Sequence, residues 1–445
     1  MSLQSRTLLR HALMACLFTV VVPSYSYAEN ISNFESAYAK VQSYQVQAEI
    51  ARHYAQISDL NIRQSQLWQN PSLTVEQSGF GSDHEQEFSL GIRQPLDIFG
   101  QRKLSQAIAN TSGQQLQLQQ QLWNAQSQLI VRYAWSQLTI AETERTVYAS
   151  QLRVSKANLE SAQKRYQAGS IALVDYERAQ IEALEMERLY QQAVLNQQSA
   201  GRQLSNLWGE THAQIDLTKT SIPWPDQSNQ TVQHYISEGW LEKLYTLNIR
   251  QSNYRIERLK VQARPQPALN VGMNRTRSPD ENNETALTLG VDLPLNLFNR
   301  QQYAIPIAQQ QQILLNQQQQ RELKQQILDI ANSMHQLKAL RNQYELITSQ
   351  IDLAEKVQSR TLQGFKAGKL SITDVQQATS QLHSLRLAML QTLRQAWQSA
   401  LGAEALSIGT SYEEISRSDA YIQLNQNAAE TLQNLGCVDT FSLKK

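Results

Sequence analysis

The sequence predicts a mainly α-helical fold with a small β part, and three observations lead to this prediction. Two segments of 66 residues, 101–166 and 300–365, contain no proline beyond their first turns. Four short stretches alternate apolar with polar residues, as strands with one apolar face do. Glycine (16) and proline (10) are few for 445 residues, which suits long helices better than a β protein with many turns.

The first 28 residues are predicted to be a secretory signal peptide. Arg6 and Arg10 form its basic start, residues 12–22 are apolar, and small residues precede an expected cleavage after Ala28. The apolar run of 11 residues is shorter than the ~20 residues of a membrane-spanning helix. An alternative interpretation is a lipoprotein signal that ends at Cys16. Both interpretations predict export.

Charge and cysteine content limit the classes of partner. Without the signal peptide the chain has 38 basic and 39 acidic side chains, and this balance argues against nucleic acid or an anionic membrane surface as the main partner. Cys437 is then the only cysteine, so no internal disulfide is expected. No later stretch of 18 residues is apolar, so no transmembrane helix is predicted. An exported chain of this kind is either soluble in the periplasm or inserted as a β-barrel.

Two copies of one unit make up most of the chain. Three motifs recur in the same order: residues 94–100 and 293–299, residues 166–170 and 365–369, and Asp175 and Asp374. Every pair is 199 residues apart, and separate motifs would not share one offset by chance. The predicted division is a first repeat that ends in a proline-containing linker (29–226), a second repeat (227–402) and a C-terminal tail (403–445).

Each repeat is expected to contain the same elements in the same order. These are a first helix (31–68 and 232–263), two strands, a long helix (101–166 and 300–365), an Ala-Gly turn and a returning helix (171–208 and 370–401). Between Leu323 and Ala354, apolar residues recur about every 3.4 positions, close to the 3.5 of a left-handed coiled coil. A helix of 66 residues extends ~100 Å. The seam alone is also compatible with a coiled-coil rod.

The strands are predicted to form two hairpins, each with one apolar face. Apolar residues alternate with polar ones at Leu73 and Val75, at Phe88, Leu90 and Ile92, and in residues 269–273 and 287–293. Strands of about 10 residues have the length of tilted membrane-spanning strands. Four strands cannot close a barrel, because the smallest membrane barrels need about eight, whereas three chains would supply 12. The alternative is a pair of hairpins that cap a soluble rod.

Motifs on these elements resemble those of the TolC-like outer-membrane efflux proteins. Residues 94–102 (QPLDIFGQR) and 365–375 (FKAGKLSITDV) carry the resemblance, which covers the mature chain to about Gly402. Residues 291–301 (VDLPLNLFNRQ) resemble the branch that serves heavy-metal and cobalt–zinc–cadmium efflux pumps.

The resemblance implies a homotrimer that is a passive exit duct, without enzyme activity or cofactor. Long helices would form a coiled-coil α-helical barrel in the periplasm. The four transmembrane β-strands of each chain would close a 12-stranded β-barrel in outer-membrane lipid, with the C-terminal tail at a periplasmic collar. Its implied partners are a periplasmic adaptor (membrane fusion) protein and an inner-membrane pump of the resistance-nodulation-division type, which supplies the energy.

The resemblance also implies a periplasmic pore entrance at Asp374 and Gln377. Family members commonly carry acids at both positions, so this chain would contribute one carboxylate instead of two. The alternative role for Asp374 is to complement the dipole at the start of a helix. For Asp175, its counterpart in the first repeat, a capping or packing role is expected.

Two Ala-Gly turns would be the tips on which the adaptor docks. Their residues are Tyr166, Ala168, Gly169 and Ser170 in the first repeat, and Phe365, Ala367, Gly368 and Lys369 in the second. Glycine permits the left-handed conformation that ends a helix, and the small alanines let another protein approach closely. The alternative is a bare corner between two helices.

Motifs for catalysis or metal binding are absent from the sequence. It contains no H-x-x-x-H pair, cysteine pair, phosphate-binding loop or G-x-S-x-G motif, and the acids beside His84 are better interpreted as solvated loop charges. We therefore predict no catalytic residue and no metal site. Heavy-metal cations are the preferred substrate of the duct. The alternatives are drug efflux, type I protein secretion, or a structural periplasmic coiled-coil adaptor.

Overall fold

Long helices dominate the computed structural model, which describes residues 31–44, 47–80, 85–211, 215, 223–278 and 283–434. The predicted signal peptide, His84 and Cys437 lie outside these residues. The elements in chain order are α1 (Phe34–Tyr44), α2 (Gln47–Ser65), β1 (Ser72–Ser78), β2 (Gln86–Pro95), α3 (Gln101–Gln167), α4 (Leu173–Asn206), α5 (Ser228–Glu238), α6 (Trp240–Gln262), β3 (Ala268–Arg277), β4 (Glu284–Asp292), α7 (Ala304–Lys366), α8 (Ile372–Ser407), α9 (Tyr412–Ser416) and α10 (Ala420–Asn434). The predicted fold class, mainly α-helical with a small β part, is confirmed.

Two helical hairpins, α3–α4 and α7–α8, form the long part of the molecule. α3 has 67 residues and α7 has 63, so each extends ~100 Å. Ile347 and Ile351 of α7 are buried against Leu382 of α8, as the predicted seam requires. None of the helices among the described residues has the length and the apolar character to cross a membrane.

The first helix of the second repeat is shorter than predicted. The sequence predicts one helix over 232–263, but α5 ends at Gly239 and α6 begins directly after it. Gly239 adopts a left-handed conformation (φ 59°), and its N–H donates to the carbonyls of Tyr235 and Ile236. A glycine enters this conformation without steric cost, which ends the helix there. In the first repeat, two helices, α1 and α2, occupy the described part of 31–68.

The four strands form one antiparallel sheet in the order β1-β2-β3-β4. Both predicted hairpins are present, and β2–β3 pairing, which the sequence did not predict, joins them. The register aligns Leu73, Ile92, Val271 and Leu289 in one row and Val75, Leu90, Met273 and Leu287 in another. Directly opposed residues share a face of the sheet, so a single apolar face runs across all four strands.

Along the whole length of the molecule, four secondary-structure elements lie side by side in one layer, which we call the wall. Below the sheet, neighbouring helices contact in the order α2-α3-α6-α7, which is the order of the strands to which they connect. Further from the sheet, the order of contact is α4-α3-α8-α7. The wall therefore has two open edges, one formed by β1, α2 and α4 and the other by β4 and α7.

A buried ion pair joins α3 to α8 near the middle of the wall. Arg132 of α3 donates to Glu404 of α8 at 2.6 Å, and Glu404 is 2% exposed. Burial raises the pKa of Glu404, whereas the charge of Arg132 opposes that shift. Around the pair lies the main apolar core, to which the C-terminal segment contributes Ile415, Tyr421 and Leu424.

Replacing Arg132 by methionine is expected to destabilise the protein by about 3 kcal/mol at pH 8, because it leaves a buried carboxylate unpaired. The loss should shrink at pH 5, where the unpaired Glu404 takes up a proton. Thermal unfolding of the purified protein at both pH values measures this. Arg132→Met combined with Glu404→Gln should recover part of the loss at pH 8. Equal losses at the two pH values would show that the ion pair does not set the stability.

Candidate functional site

Apolar side chains line both open edges of the wall. On α4 they are Val174, Ile181, Leu184 and Leu195, and on α7 they are Ile307, Leu314, Leu328, Leu346, Leu353 and Val357; each is at least half exposed. Several are seven positions apart, which puts them on one side of a helix. On α4 the buried alanines, such as Ala179 and Ala183, lie on the opposite side. We name these surfaces the α4 stripe and the α7 stripe.

The two Ala-Gly turns have the same geometry. Gly169 and Gly368 are left-handed, with φ of 68° and 73°. One residue further on, the N–H of Ser170 donates to the Arg165 carbonyl and that of Lys369 donates to the Gly364 carbonyl, both at 2.8 Å. This pattern of hydrogen bonds is the Schellman motif, which completes the last turn of a helix. Each turn is therefore fixed by its own backbone.

Arg165 connects the two turns within one chain. Its guanidinium lies over the ring of Phe365, 4.5 Å from the centroid, and its Nη1 donates to the Phe365 carbonyl at 3.4 Å. A cation at the last carbonyls of a helix complements the helix dipole. The predicted tip residues of α3 and α7 are thus brought together at one end of the molecule.

The predicted docking residues differ in accessibility. Ala168, Gly169 and Ser170 of the first turn are exposed, as are Ala367, Gly368 and Lys369 of the second. Tyr166 is 39% exposed and stacks on Tyr176, with 5.5 Å between the ring centroids. Phe365 requires a correction, because it is 1% exposed and packs against Ile372 and Val375. It supports the second turn and has no surface free for a partner.

Asp374 has the capping role that was the alternative interpretation of this residue. It is the third residue of α8 in a capping box: Ser371 N–H and Oγ donate to its carboxylate at 2.8 and 2.7 Å, and its own N–H donates to Ser371 Oγ. Hydrogen bonds from the Ser371 hydroxyl and backbone lower the pKa of Asp374, so it stays ionised. Asp374 and Gln377 are both exposed, one turn apart. A capping acid on this surface also presents negative charge to solvent.

The first repeat lacks this capping box. Ala172 occupies the position of Ser371, and α4 begins without a side-chain cap. Asp175, the counterpart of Asp374, instead lies 3.6 Å from Arg178 in an exposed ion pair. The expected capping role of Asp175 is therefore not observed, because its partner hydroxyl is missing.

A polar layer that the sequence analysis missed lies where α3, α4 and α8 meet. Glu182 of α4 is partly buried beside Gln376 of α8 and Ser155 of α3. Burial raises the pKa of Glu182, and the neighbouring polar side chain of Gln376 opposes the shift. Asn158 of α3 is 3% exposed, and neither of its amide atoms has a partner among the described residues. Buried polar side chains at a helix junction weaken packing there.

Other titratable groups around this layer are already paired or neutral. Arg178 and His383 line the same groove as Glu182, and this groove has a volume of about 410 Å³. Arg178 pairs with Asp175, and Glu185 pairs with Arg188 at 2.6 Å. Burial lowers the pKa of His383, which packs on Tyr148. Glu182 is therefore the acid of this groove whose ionised form the fold disfavours.

The described residues contain no group of three or more His, Cys, Asp or Glu side chains that could hold a metal ion. The predicted weak patch around His84 lies outside the described residues. Asp374, the predicted pore acid, belongs to no such group among the described residues.

Comparisons with known proteins agree with this architecture. Residues 246–407 match the family model described as outer membrane efflux protein. The cobalt-zinc-cadmium resistance protein CzcC of Cupriavidus metallidurans is 26% identical over 259 residues, which cover 56% of this chain and 59% of that protein. The match thus spans about three fifths of the length of this curated relative.

Solved structures share the fold over nearly the whole chain. A CusC structure, whose description refers to transmembrane channel formation, has a TM-score of 0.65 at 15% identity and covers 85% of this chain and 92% of its own. The outer membrane protein VceC of Vibrio cholerae has a TM-score of 0.64 at 15% identity, with 85% and 96% covered. At this identity the likeness establishes the fold alone.

Replacing Glu182 by glutamine is expected to raise the temperature of unfolding at pH 8 by about 2 °C, because no charge then has to be buried. A raised pKa stabilises the folded state at low pH, and this contribution is lost as pH rises through the raised value. At pH 4 the variant and the parent should therefore unfold together. Glu185→Gln, which removes an exposed paired acid on the same helix, should show no gain at pH 8 and is the matched control. A gain with both variants would contradict the role of burial.

Proposed function

We propose that the chain is a member of the outer membrane efflux protein family, whose model matches residues 246–407, and that it is the outer-membrane exit duct of a tripartite efflux system for heavy-metal cations. In this proposal the protein is an outer membrane efflux channel with a large periplasmic helical part, in keeping with the family model and the shared fold. The observation that supports the proposal most is the wall with two open edges, each lined by apolar side chains. A wall of this kind becomes a duct when copies close it into a ring.

Three copies of the chain would pair the strand edges that a single chain leaves unpaired. Each chain supplies four strands with unpaired edges at β1 and β4, and open edges are not tolerated in lipid. Two copies would give about eight strands, whose interior is filled by side chains. Three copies give about 12 strands and a lumen. The homotrimer would join the β4 and α7 edge of one copy to the β1, α2 and α4 edge of the next.

The same closure would cover the helical stripes. In the ring, the α7 stripe of one copy would face the α4 stripe of its neighbour, and both would leave water. The apolar face of the sheet would contact outer-membrane lipid, because the register directs Leu90, Val271 and Leu289 to one side. A structural periplasmic adaptor, the alternative function, would leave this face in water and is therefore disfavoured.

The turns at the far end of the helices are the proposed contact with a periplasmic adaptor. Their exposed small residues permit close approach of another backbone, and the Schellman motifs and Arg165 fix their positions. By the family resemblance, a pump of the resistance-nodulation-division type in the inner membrane would supply the energy. The buried Phe365 would support the second turn by packing against Ile372 and Val375.

Heavy-metal cations are the proposed substrate for two reasons. The relative CzcC is named for cobalt, zinc and cadmium resistance, and the ionised Asp374 would attract cations at the periplasmic mouth. A conduit also benefits from weak sites, since tight binding slows release. Drug efflux and type I protein secretion remain the alternative substrates. Deleting the gene and scoring sensitivity to zinc, cobalt, cadmium and copper against dyes and antibiotics distinguishes these possibilities.

Replacing Leu346 and Leu353 together by glutamate is expected to abolish the trimer, because charges would enter an apolar contact between copies. Native mass spectrometry of detergent extracts measures the change. Methionine at both positions keeps an apolar side chain of similar volume and should preserve trimers. Trimers that survive the glutamate variant would contradict contact through the α7 stripe.

Replacing Asp374 by alanine is expected to weaken block of the channel conductance by trivalent cations about tenfold, because three carboxylates leave the mouth. Planar bilayer recordings measure the blocking concentration. Ser371→Ala removes the helix cap but keeps the charge, so it should leave the block in place. Gln377→Asp should strengthen it. Unchanged block in Asp374→Ala would reject an acidic ring at this position.

A further inference from the structure

We infer that Arg275 and Arg277 form, on the outer surface of each subunit, a binding site for the phosphate groups of a phosphorylated lipid of the outer leaflet. The inference rests on the outer-membrane position of the sheet and on the outward direction of its apolar face. It assigns a ligand to a surface that the duct function does not use.

Sheet register puts both arginines on the apolar face. Arg275 is directly opposite Phe88, and Phe88 is opposite Gln77, so the three side chains share one face. Arg277, two residues further along β3, is opposite Gln86 on the same face. Val271 and Met273, the apolar residues that precede them on β3, lie in rows with Ile92 and Leu90. The basic side chains therefore continue the lipid-facing surface beyond its apolar part.

Their height on the strand matches the boundary of the hydrocarbon region. At ~3.4 Å per residue, Arg275 lies ~7 Å and Arg277 ~14 Å beyond Met273, towards the end where the strands of each hairpin connect. The helices leave the sheet at the opposite end and are periplasmic, so the arginines face the outer leaflet. Phe88 marks the boundary in the way that interfacial aromatic residues do.

The two arginines are available for an external anion. Both side chains are exposed, and neither forms an ion pair with a described residue. Acids at the same end of the sheet, Glu76, Glu87 and Glu284, belong to rows on the opposite face. Acidic and basic side chains are thus separated by the sheet, with the bases directed outward.

Phosphate is the anion that this arrangement fits. Guanidinium groups bind phosphate oxygens with two parallel N–H donors, and desolvation near lipid strengthens the contact. Thr285 is opposite Arg275 on the neighbouring strand, so its hydroxyl lies beside the guanidinium on the same face. Two phosphates on one lipid headgroup would match two arginines that are ~7 Å apart along the strand.

Binding of lipid A, a glucosamine disaccharide with two phosphates, to the purified full-length trimer tests this inference. Native mass spectrometry counts bound lipid during a titration. Arg275→Gln combined with Arg277→Gln should weaken binding about 25-fold, because each basic residue near an anionic lipid contributes a factor of about five. Arg275→Lys with Arg277→Lys should retain most of the affinity, since the charge remains.

Control variants distinguish lipid binding at this site from general electrostatic attraction between the protein and an anionic lipid. Arg321→Gln with Arg360→Gln removes two exposed charges of the helical part and should leave binding unchanged. Lipid A without its phosphates should bind no better to the parent than to the double glutamine variant. Equal binding by parent and double glutamine variant overturns the inference, as does displacement by millimolar inorganic phosphate. Failure to form trimers would instead contradict the proposed function, and trimers without bound lipid A would contradict this inference alone.

Discussion

Unpaired backbone groups at the two edges of the sheet are the constraint on which assembly of this molecule depends. β1 and β4 each leave one row of N–H and C=O groups without a strand partner among the described residues. Such rows cannot remain open in a bilayer, where no water is present to satisfy them. Each edge strand is connected to an edge helix, since α2 directly precedes β1 and α7 comes directly after β4. Pairing of the edges therefore determines which helices of neighbouring copies meet.

Most of the fold follows from patterns that are local in the sequence. The long helices, the hairpins and the repeat were predicted because periodicity and turn residues report directly on backbone structure. The family resemblance is confirmed by the family model that matches residues 246–407. The prediction failed at Gly239, where a helical pattern continues but the backbone turns left-handed. Pairing of β2 with β3 was also missed, because those strands are separated by α3 to α6.

The candidate site was predicted less well, and the reason is physical. Turn residues such as Gly169 and Gly368 have a local signature, whereas Phe365 contributes to a small buried cluster that only the folded chain reveals. Arg132 and Glu404 are 272 residues apart, and nothing near either residue indicates the other. Glu182 resembles an ordinary surface acid of a helix until α8 covers it. Long-range burial thus decides which polar residues carry a role.

The two helix starts beside the turns are unequal. α8 begins with the Ser371–Asp374 capping box, whereas α4 begins at Ala172 without one. In a closed threefold ring, the six turns around the rim would alternate between a firmly held corner and a more pliable one. A partner that meets this rim would encounter a threefold pattern, despite the near-sixfold spacing of the corners. Its rotational registry would then be set by stiffness as well as by shape.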